Sequence, residues 1–478
     1  MNYGSIKQAA FPDPSMDTWR TLAEKALKGA DFDATLLSHT DDGLPIAPLY
    51  PRAEPNLLSR ANPAKPWTIV QRIDDVDPAR ANKQALDDIA QGATGLALVF
   101  EGAPNAFGYG LPATPDALAT ALAGIPLNKI HLRIDVHPQS RMSVDWLVEH
   151  LTRNSVDPAK LDIALGLDPA AIFGGTGRLR MSIEALAASM PPSLAHFFDM
   201  GIPAILIEAD GRVYHNAGAS EAQELGAMLA AAVSHLRMIE ANRQPLQHTV
   251  PYLGFALSVD QDQLLSIAKI RALRQLWTRV QELAKVAPRP AKIHAETSYR
   301  MMAFKDCETN ILRTTIASFA AAVGGADSLS VLPHTITHGL PENFARRIAR
   351  NTQLILAGES KLDFVVDPAA GSGVIEALTD QLCQAAWTEF QRIEAEGGIL
   401  QSLKNNQLQA RIRETAVKRG EDIRGGKRDV IGTTLYPAKV ERPVEVIRAD
   451  TRPAPTDGAV FCDQLSPLFL DRVAGEAR

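Results

Sequence analysis

Short apolar runs alternate with amphipathic helical stretches along the chain from Trp67 onward, and this alternation is the pattern of parallel βα units. The runs are rich in β-branched residues, as buried parallel strands are. Eight of them can be counted: WTIVQRI, GLALVF, KIHLRID, LDIALGL, PAILIEA, YLGFALSV, AKIHAE and DSLSVLP. Eight strand-helix units over roughly 290 residues favour a TIM (β/α)8 barrel over an open sheet. The predicted fold class is therefore α/β, a TIM barrel with an N-terminal arm and a C-terminal tail of helices and extended chain.

The helices between the runs carry start and stop signals. Ser220 followed by Gln223 predicts a capping box, and the apolar positions after it fall on one helix face: Leu225, Met228, Leu229, Ala232, Val233 and Leu236. Beyond the eighth run, Pro341 is predicted to be the first residue of a helix that ends at Gly358. A further helix is expected over residues 379–396, before a Gly-Gly pair.

The chain divides into three predicted parts. Residues 1–62 form an arm with one short helical segment, TWRTLAEKALKG, and such an arm needs another surface on which to fold. Residues 63–358 form the barrel, and residues 359–478 form C-terminal helices and a tail. From about Asn405 the tail is rich in charge and then in proline, which is typical of an extended wrapping or linker segment.

Composition narrows the class of protein. The chain has 478 residues, of which 46% are apolar, so it can bury an ordinary core. A formal net charge of −6 gives no broad basic surface for nucleic acid or an anionic membrane. No secretory signal and no membrane-spanning run of about 20 apolar residues is expected. The three cysteines, Cys307, Cys383 and Cys462, lie far apart, which favours a reducing cytosol and a cytoplasmic location.

Polar residues directly after the strand runs are the candidate site residues, because the active site of a TIM barrel lies at the C-terminal strand ends. They are Arg72, Glu101, Asp135, His137, Asp168, Tyr214, His215, Asp260, Glu296, Ser298 and His334. The pair Tyr214-His215 is the best of them, since an imidazole near a carbonyl can donate a hydrogen bond or a proton. The competing interpretation is a loop histidine that braces the following helix, and the sequence leaves both open.

Metal chemistry is a weaker interpretation. Asp135 and His137 stand on alternate positions of an extended strand, but catalytic zinc needs at least three ligands, and no histidine pair stands at helical ligand spacing. A structural role is favoured for them. An unrelated barrel enzyme that uses Asp135, His137 or His215 with a metal is the least favoured hypothesis.

Two further motifs have a functional and a structural interpretation. The segment FGGTGR at 173–178 could approach a phosphate, but it lacks the P-loop Lys-Ser/Thr, and a glycine-rich turn is favoured. A cluster of three arginines on one helix indicates either a solvated face or an ion-pairing surface for a partner chain: Arg346, Arg347 and Arg350.

Longer motifs identify a family. The sequence from PWTIVQ at 66–71 to about TLYP near residue 434, with AKIRALRQLW, FARRIARNTQ and DPAAGSG inside it, resembles the barrel domain of the methylmalonyl-CoA mutases. That family performs an adenosylcobalamin-dependent radical rearrangement. Within it the chain is similar to the small, non-catalytic subunits of heterodimeric mutases, through WRTLAEKALKGADF, DGLPIAPLYPRA, VGGADSLSVLP and GLPENFARRIARNTQ.

The resemblance also implies which family positions have changed. Catalytic chains end their first strand in PWTIRQY, whereas this chain reads PWTIVQR, so that Val70 replaces an arginine and Arg72 replaces the tyrosine that helps to expel the adenosyl group. Radical initiation is therefore not expected here, and Tyr214 and His215, which match the substrate-contacting Tyr-His pair, are expected to be relics. The resemblance implies four substrate-binding positions, Gln71, Arg271, His294 and Ser298. Binding of a CoA ester to them is expected to be weak or absent.

The cofactor is expected in another chain. Cobalamin-binding family members carry Asp-x-His-x-x-Gly in a flavodoxin-like domain, and nothing after about residue 440 fits that domain. The partial match DVHPQS at 135–140 has Ser140 in place of the glycine. The resemblance thus implies a chain without cofactor or metal that pairs with a large subunit holding adenosylcobalamin, with a homodimer possible when it is alone. The alternative is the substrate-binding barrel of a split acyl-CoA mutase whose cobalamin domain is a separate chain.

Overall fold

The computed structural model describes residues 15–58, 60–138, 141–200, 204–452 and 456–475. Residues 1–14 of the predicted arm, Ser140 of the partial cobalamin motif and parts of the predicted tail lie outside these ranges. A parallel sheet forms the centre of the molecule. Its strands are β1 Thr68–Ile73, β2 Gly95–Val99, β3 His131–Asp135, β4 Asp162–Leu165, β5 Ala204–Ile205 with Ile207–Asp210, β6 Leu253–Val259, β7 Ile293–Thr297 and β8 Ser328–Ser330.

The sheet closes on itself, which confirms the predicted TIM barrel. Strand β8 pairs with β1 through Leu329 and Ile69, and each of the other strands lies beside its neighbour in sequence. Strand β5 is interrupted at Leu206: its first segment pairs with β4 and its second with β6. All eight apolar runs of the sequence are strands of this barrel.

Helices surround the barrel, and most of them begin at a side-chain cap. The capping box at Ser220 and Gln223 is confirmed. The helices are α1 Met16–Ala26, α2 Phe32–Leu36, α3 Pro78–Ala90, α4 Pro115–Ala121, α5 Arg141–Arg153, α6 Pro169–Thr176, α7 Ile183–Asp199, α8 Arg212–Asn216, α9 Glu221–Ala241, α10 Leu246–Thr249, α11 Gln263–Leu283, α12 Asn310–Gly324, α13 Asn343–Gly358, α14 Gly373–Ala395, α15 Ile399–Lys404, α16 Gln407–Arg424 and α17 Leu470–Gly475. No described helix is long and apolar enough to cross a membrane.

Several predicted boundaries were wrong. Helix α13 does not begin at Pro341, because the side chain of Glu342 accepts the first free backbone N–H groups and so caps the helix. Pro341 lies before the helix and pairs with Val446 in a two-residue ladder. Helix α14 begins six residues earlier than expected, at Gly373. The segment after Asn405 is not extended throughout: it forms α16, whose buried Leu408 and Ile412 join the main core.

The last described segment crosses the C-terminal end of the barrel. Val460 and Phe461 pair with Leu179 and Arg178 in a short antiparallel ladder. Beyond it, the backbone N–H of Leu465 donates to Gly174 O and that of Leu468 to Asn216 O, each at 2.8 Å. We call residues 460–475 the strap.

Candidate functional site at the barrel axis

A network of charged side chains fills the axis of the barrel. The Arg133 guanidinium on β3 binds the Glu208 carboxylate on β5 with both nitrogens, at 2.7 and 2.6 Å. Its Nε also donates to Asp135 Oδ1 at 3.0 Å. Strands β3 and β5 are not neighbours in the sheet, so this pair spans the interior.

Arg212 extends the network from the C-terminal end of β5. Its guanidinium donates to Asp135 Oδ1 at 2.9 Å and to Asp210 Oδ2 at 2.8 Å. It also lies 3.4 Å from Glu296 Oε1 on β7. The first helical turn after β5 thus places a second cation over the axis, between the carboxylates of three strands.

Arg72 closes the network on the side of β1. Its Nε donates to Asp74 Oδ2 at 2.6 Å, and Nη1 lies 3.4 Å from Glu296 Oε2. Nη2 donates to the backbone carbonyl of Asn105. Arg72 is 4% exposed, and Arg133 is 0% exposed.

Burial and charge together set the ionisation of the network. Burial by itself would raise the pKa of Asp135, but the guanidinium groups of Arg212 and Arg133 hold that pKa well below its usual range. The packing leaves no spare room, since a methyl group added at Gly166 would lie 2.9 Å from Asp135 Oδ1 and 3.0 Å from Arg133 Nη2. Burial raises the pKa of Glu208 and Glu296, against the attraction of the same arginines. The axis at this level is therefore occupied by charged side chains that bind one another.

Aromatic side chains cover the network at the C-terminal mouth. The rings of Phe107 and Tyr299 stack at 3.8 Å with an interplanar angle of 6°. Phe469 of the strap packs against Tyr299 at 4.9 Å, and the Arg72 guanidinium lies 4.8 Å from the Phe107 ring centre. The chain's own residues thus lie over this mouth, where Phe107, Tyr299 and Phe469 also line a surface cavity of about 620 Å³.

Tyr214 and His215 lie beside the axis and are fully buried. His215 Nε2 lies 2.9 Å from Ser298 Oγ, and Nδ1 lies 3.2 Å from Glu224 Oε2. Burial lowers the pKa of His215 well below its usual value, and the cations Arg300 and Lys269 lower it further. A neutral imidazole between a hydroxyl and a carboxyl group braces α9 against β7, which is the structural alternative that the sequence left open.

The hydroxyl group of Tyr214 has no hydrogen-bond partner among the described residues. Burial raises the pKa of this phenol well above its usual value. Its ring lies against Gly174, where an added methyl group would be 3.7 Å from Tyr214 Cε1. The side chain is thus a packed part of the core in this conformation.

The chain is similar in sequence to proteins of one known family. A family model described as Methylmalonyl-CoA mutase matches residues 57–457. The chain belongs to the methylmalonyl-CoA mutase family. It is 35% identical to the methylmalonyl-CoA mutase small subunit of Streptomyces virginiae, over 91% of this chain and 73% of that protein. It is 30% identical to the small subunit of Propionibacterium freudenreichii subsp. shermanii, over 93% of this chain and 71% of that protein.

A third relative is matched over a smaller share of its own length. The chain is 38% identical to the probable methylmalonyl-CoA mutase small subunit of Mycobacterium tuberculosis (strain ATCC 25618 / H37Rv). That match covers 68% of this chain and 52% of the relative. The chain thus matches about half the length of this relative and about three quarters of the Streptomyces protein.

The mutase-family positions expected to contact a CoA ester lie in different places. Gln71 donates to Asp88 Oδ1 at 3.2 Å, between β1 and the surrounding helices. Arg271 on α11 binds Asp367 at 2.5 Å, Glu376 at 2.8 Å and the carbonyl of Asn56. The structure therefore does not bring these two residues together in one cavity, and their contact with a substrate stays a prediction.

The other two expected positions lie at opposite ends of the barrel. His294 lines a cavity at the N-terminal mouth, and a hydrogen bond of 2.8 Å joins its Nδ1 to Ser328 Oγ. Ser298 lies at the C-terminal end of β7, bound to His215. The axial network of Arg133 and Arg212 separates them.

Two of the remaining candidates, Glu101 and Asp168, have structural partners. Glu101 pairs with Arg452 at 2.9 Å, and Asp168 caps α6 by accepting from Ala170 N at 2.8 Å. His334 lines a surface cavity beside Phe344. Among the described residues, one trio has metal-ligand spacing, His215, Glu221 and Asp260. The Arg300 guanidinium already lies 3.2 Å from Asp260 and 3.9 Å from Glu221, so a cation occupies that charge environment.

Two motif interpretations need correction. Residues 173–176 are not a turn but the end of α6, which stops at Gly177 in the left-handed conformation, and an added methyl group at Gly175 would lie 2.6 Å from Pro104. The three arginines of α13 do not share a solvated face or a partner surface. Arg346 and Arg350 both bind Asp88 at 2.5 Å and are buried, and only Arg347 is exposed.

Sequence reasoning missed the central members of the network. Arg133, Glu208 and Arg212 were not among the candidates. A signal was present: Arg133 and Glu208 are charged residues inside apolar strand runs, where a parallel strand is buried on both faces. Such a residue is either paired in the interior or the run is not a strand.

We expect substitutions of Arg133 and Glu208 to have strongly non-additive effects on the free energy of unfolding. Arg133→Leu leaves Glu208 buried without its partner and should cost about 3–5 kcal/mol in the free energy of unfolding, and Glu208→Leu should cost a similar amount. The double substitution should cost less than either single one, because no unpaired charge is left. Urea unfolding measures all three.

The exposed pair Arg153–Glu149, at 2.5 Å, is the matched control. Arg153→Leu should cost less than about 1 kcal/mol. Additive effects at Arg133 and Glu208 would show that the two side chains do not interact across the barrel.

The buried carboxyl group of Asp168 makes the free energy of unfolding depend on pH. Burial raises the pKa of this carboxyl group from 3.8 to about 7. Between pH 4 and 7 the unfolded chain loses this proton while the folded chain keeps it, so this group lowers the free energy of unfolding as pH rises. Asp168→Asn should remove up to about 1.4 kcal/mol per pH unit of that slope. Parallel stability-versus-pH curves for the two proteins from pH 4.5 to 7 would contradict this assignment.

Proposed function

We propose that the chain is the small, non-catalytic subunit of an adenosylcobalamin-dependent methylmalonyl-CoA mutase, whose large subunit interconverts succinyl-CoA and methylmalonyl-CoA. The observation that carries the proposal is the filled barrel axis. A substrate that reacts inside a barrel needs an open interior next to its catalytic groups. Here Arg133, Arg212 and Arg72 occupy that interior together with their carboxylates.

The side chains that replace family catalytic groups support the same proposal. Arg72 stands where the resemblance implies a tyrosine in catalytic chains, and its guanidinium is held by Asp74, Glu296 and a backbone carbonyl. Tyr214 and His215 are sealed from solvent. A group that touches neither solvent nor a cavity cannot orient a thioester. We therefore infer that this chain alone is inactive.

The C-terminal mouth does not fit a corrin ring. Cobalamin would need a broad accessible surface there and an axial histidine that faces it. Phe107, Tyr299 and Phe469 cover the mouth, and the strap is bonded over it. The arrangement supports a cofactor bound by the partner subunit and not by the residues described here.

The N-terminal arm supplies a contact for that partner. Helix α1 has 11 residues, and none of them is buried. A helix shorter than about 12–15 residues is marginal in water without packing, yet one face of α1 is apolar: Met16, Trp19, Leu22, Ala23 and Ala26. We infer that this face packs on the large subunit.

Only part of the arm is free for this role. Asp41 binds Arg419 at 2.6 Å, and Asp42 accepts a hydrogen bond from Ser220. The backbone N–H of Leu58 donates to Asp367 Oδ2 at 2.9 Å. Residues 41–58 therefore lie on this chain's own barrel, and among the described residues of the arm the proposed partner contact lies around α1 and α2.

Co-expression with the large mutase subunit from the same genome should give a stable one-to-one complex. The molar mass measured by light scattering after size exclusion tests this. Two separate peaks would contradict the small-subunit proposal.

Within that complex, Leu22→Glu should weaken association at least tenfold, because Leu22 is 61% exposed on the apolar face of α1. Thr21→Glu is the control, since it adds the same charge on the opposite face of the same helix. Both variants should fold as the parent does, because Leu22 and Thr21 are exposed and no residue of α1 is fully buried. Equal association of the two variants would exclude α1 from the interface.

Titration of this chain alone with succinyl-CoA separates the proposal from a split mutase whose cobalamin domain is another chain. A barrel with a filled axis should give no saturable binding of the acyl part, so that succinyl-CoA and free CoA produce the same response in calorimetry. Binding of succinyl-CoA at least tenfold tighter than CoA would favour the split mutase.

A further inference from the structure

A pocket of about 430 Å³ lies on the C-terminal side of the barrel, away from the axial network. It is formed by the loops that follow β7 and β8, the first residues of α13 and the segment 438–445. None of the arginines of the axial network lines it. Its chemistry is therefore separate from that of the barrel axis, and we call it the loop pocket.

Carboxylates dominate the charge of the loop pocket. Five of them line it: Asp306, Glu308, Glu342, Glu441 and Glu445. Among the described residues, the cationic side chain that lines it is Arg442, which binds Glu308 at 3.1 Å. Arg313 attracts Asp306 from outside the pocket, where its guanidinium donates to Asn310 Oδ1 at 2.8 Å. The other four carboxylates form no ion pair with a described residue, so the pocket has an excess of negative charge.

The thiol of Cys307 lies in the same negative field. Cys307 lines the loop pocket and is buried. Burial raises the pKa of this thiol to about 11, and the carboxylates of Glu308, Asp306 and Glu441 contribute to the rise. An anion is therefore disfavoured at this wall, and a cation is favoured.

Two buried polar side chains in the wall have unmatched atoms. His334 is 7% exposed and Thr335 is 4% exposed, and both line the loop pocket. His334 Nδ1 and Thr335 Oγ1 have no hydrogen-bond partner among the described residues. Burial lowers the pKa of His334, against the attraction of Glu342 and Glu308, so its ring is neutral at neutral pH and can accept a hydrogen bond. Because an unmatched buried polar atom is costly, a bound group that donates hydrogen bonds would stabilise this wall.

These groups together match an organic cation with several N–H donors. Carboxylates, a neutral imidazole nitrogen and a hydroxyl oxygen all accept hydrogen bonds, whereas an ammonium group has three donors and no acceptor. Four unpaired carboxylates match more than one positive charge. At the rim, the ring of Phe344 is 57% exposed and offers an apolar face for a methylene chain.

A metal ion fits the loop pocket less well. A divalent cation needs its ligand oxygens at about 2.0–2.6 Å. Among the described residues, the trio with metal-ligand spacing is His215, Glu221 and Asp260, and none of the three lines this pocket. The carboxylates of the loop pocket are thus too far apart for three of them to reach one ion.

We propose that the loop pocket binds a linear polyamine, a methylene chain that carries two or more ammonium groups. The ammonium groups donate to the unpaired carboxylates and to the wall at His334 and Thr335, while the methylene chain lies against Phe344. The inference does not depend on the proposed subunit role, since it concerns this chain by itself.

Calorimetric titration of the purified full chain with spermidine tests the proposal, at low ionic strength because salt screens partly exposed carboxylates. Spermidine should bind saturably with one-to-one stoichiometry and raise the melting temperature. Butylamine, which has one ammonium group and stands for a lysine side chain, should bind at least tenfold more weakly. Magnesium chloride separates recognition from a general attraction of cations. Equal affinity for butylamine or magnesium, or no saturable response to spermidine, would overturn the proposal.

The double variant Glu441→Gln, Glu445→Gln should lower the affinity for spermidine at least tenfold, because it removes two of the unpaired charges. Both side chains are exposed, and glutamine can still accept the hydrogen bond that Glu441 receives from Asp306 N, so the variant should fold. The matched control is Glu414→Gln, Glu421→Gln, which removes two exposed charges from α16 outside the pocket and should leave the affinity unchanged. Equal affinities of the two double variants would contradict the site.

Thr335→Val tests the buried wall. Valine keeps the shape of threonine without its hydroxyl group, so in amine-free buffer the variant should melt at the same or a higher temperature than the parent. Its affinity for spermidine should fall several-fold. A lower melting temperature in that buffer would mean that the hydroxyl group already has a partner within the protein. That result, or an unchanged affinity, would contradict the role given to this wall.

Discussion

The network of paired acidic and basic side chains across the barrel axis is the constraint on which the rest of this structure depends. Arg133, Glu208, Asp135, Arg212 and Glu296 connect strands that do not touch in the sheet. Each charge is stable in the interior only because a partner of opposite sign is in contact with it. The barrel must therefore close with its strands in this register, or several charges are buried without partners.

The network also determines what the two ends of the barrel can do. Above it, Phe107, Tyr299 and the strap lie over the C-terminal mouth, where TIM-barrel enzymes have their active sites. Below it, the N-terminal mouth stays open as a cavity lined by both acidic and basic side chains. The barrel of this mutase-family chain thus has a network of paired charged residues along its axis.

The candidate residues from the sequence divide by the kind of signal behind them. Arg72 and Glu296 were found because they lie near the C-terminal end of a strand run, and both are members of the network. Arg133 and Glu208 were missed because their runs were read as continuous apolar strands, although Glu208 holds the same place in its run as Arg72. Arg346 and Arg350 were assigned to a surface from helical spacing alone, but both bind the buried Asp88, whose position depends on packing of α3 against α13. Spacing along a helix places residues on one face and does not say what that face contacts.

The sequence alone determined the eight-stranded barrel, the capped helix at Ser220 and the family, since each depends on local periodicity or on long motifs. Only the tertiary structure decided that the axis is filled and that the strap lies over one mouth of the barrel. These features depend on contacts between residues such as Arg133 and Glu208, which are 75 positions apart. Burial and pairing of a charge are properties of the packed chain, because they depend on which distant groups surround it.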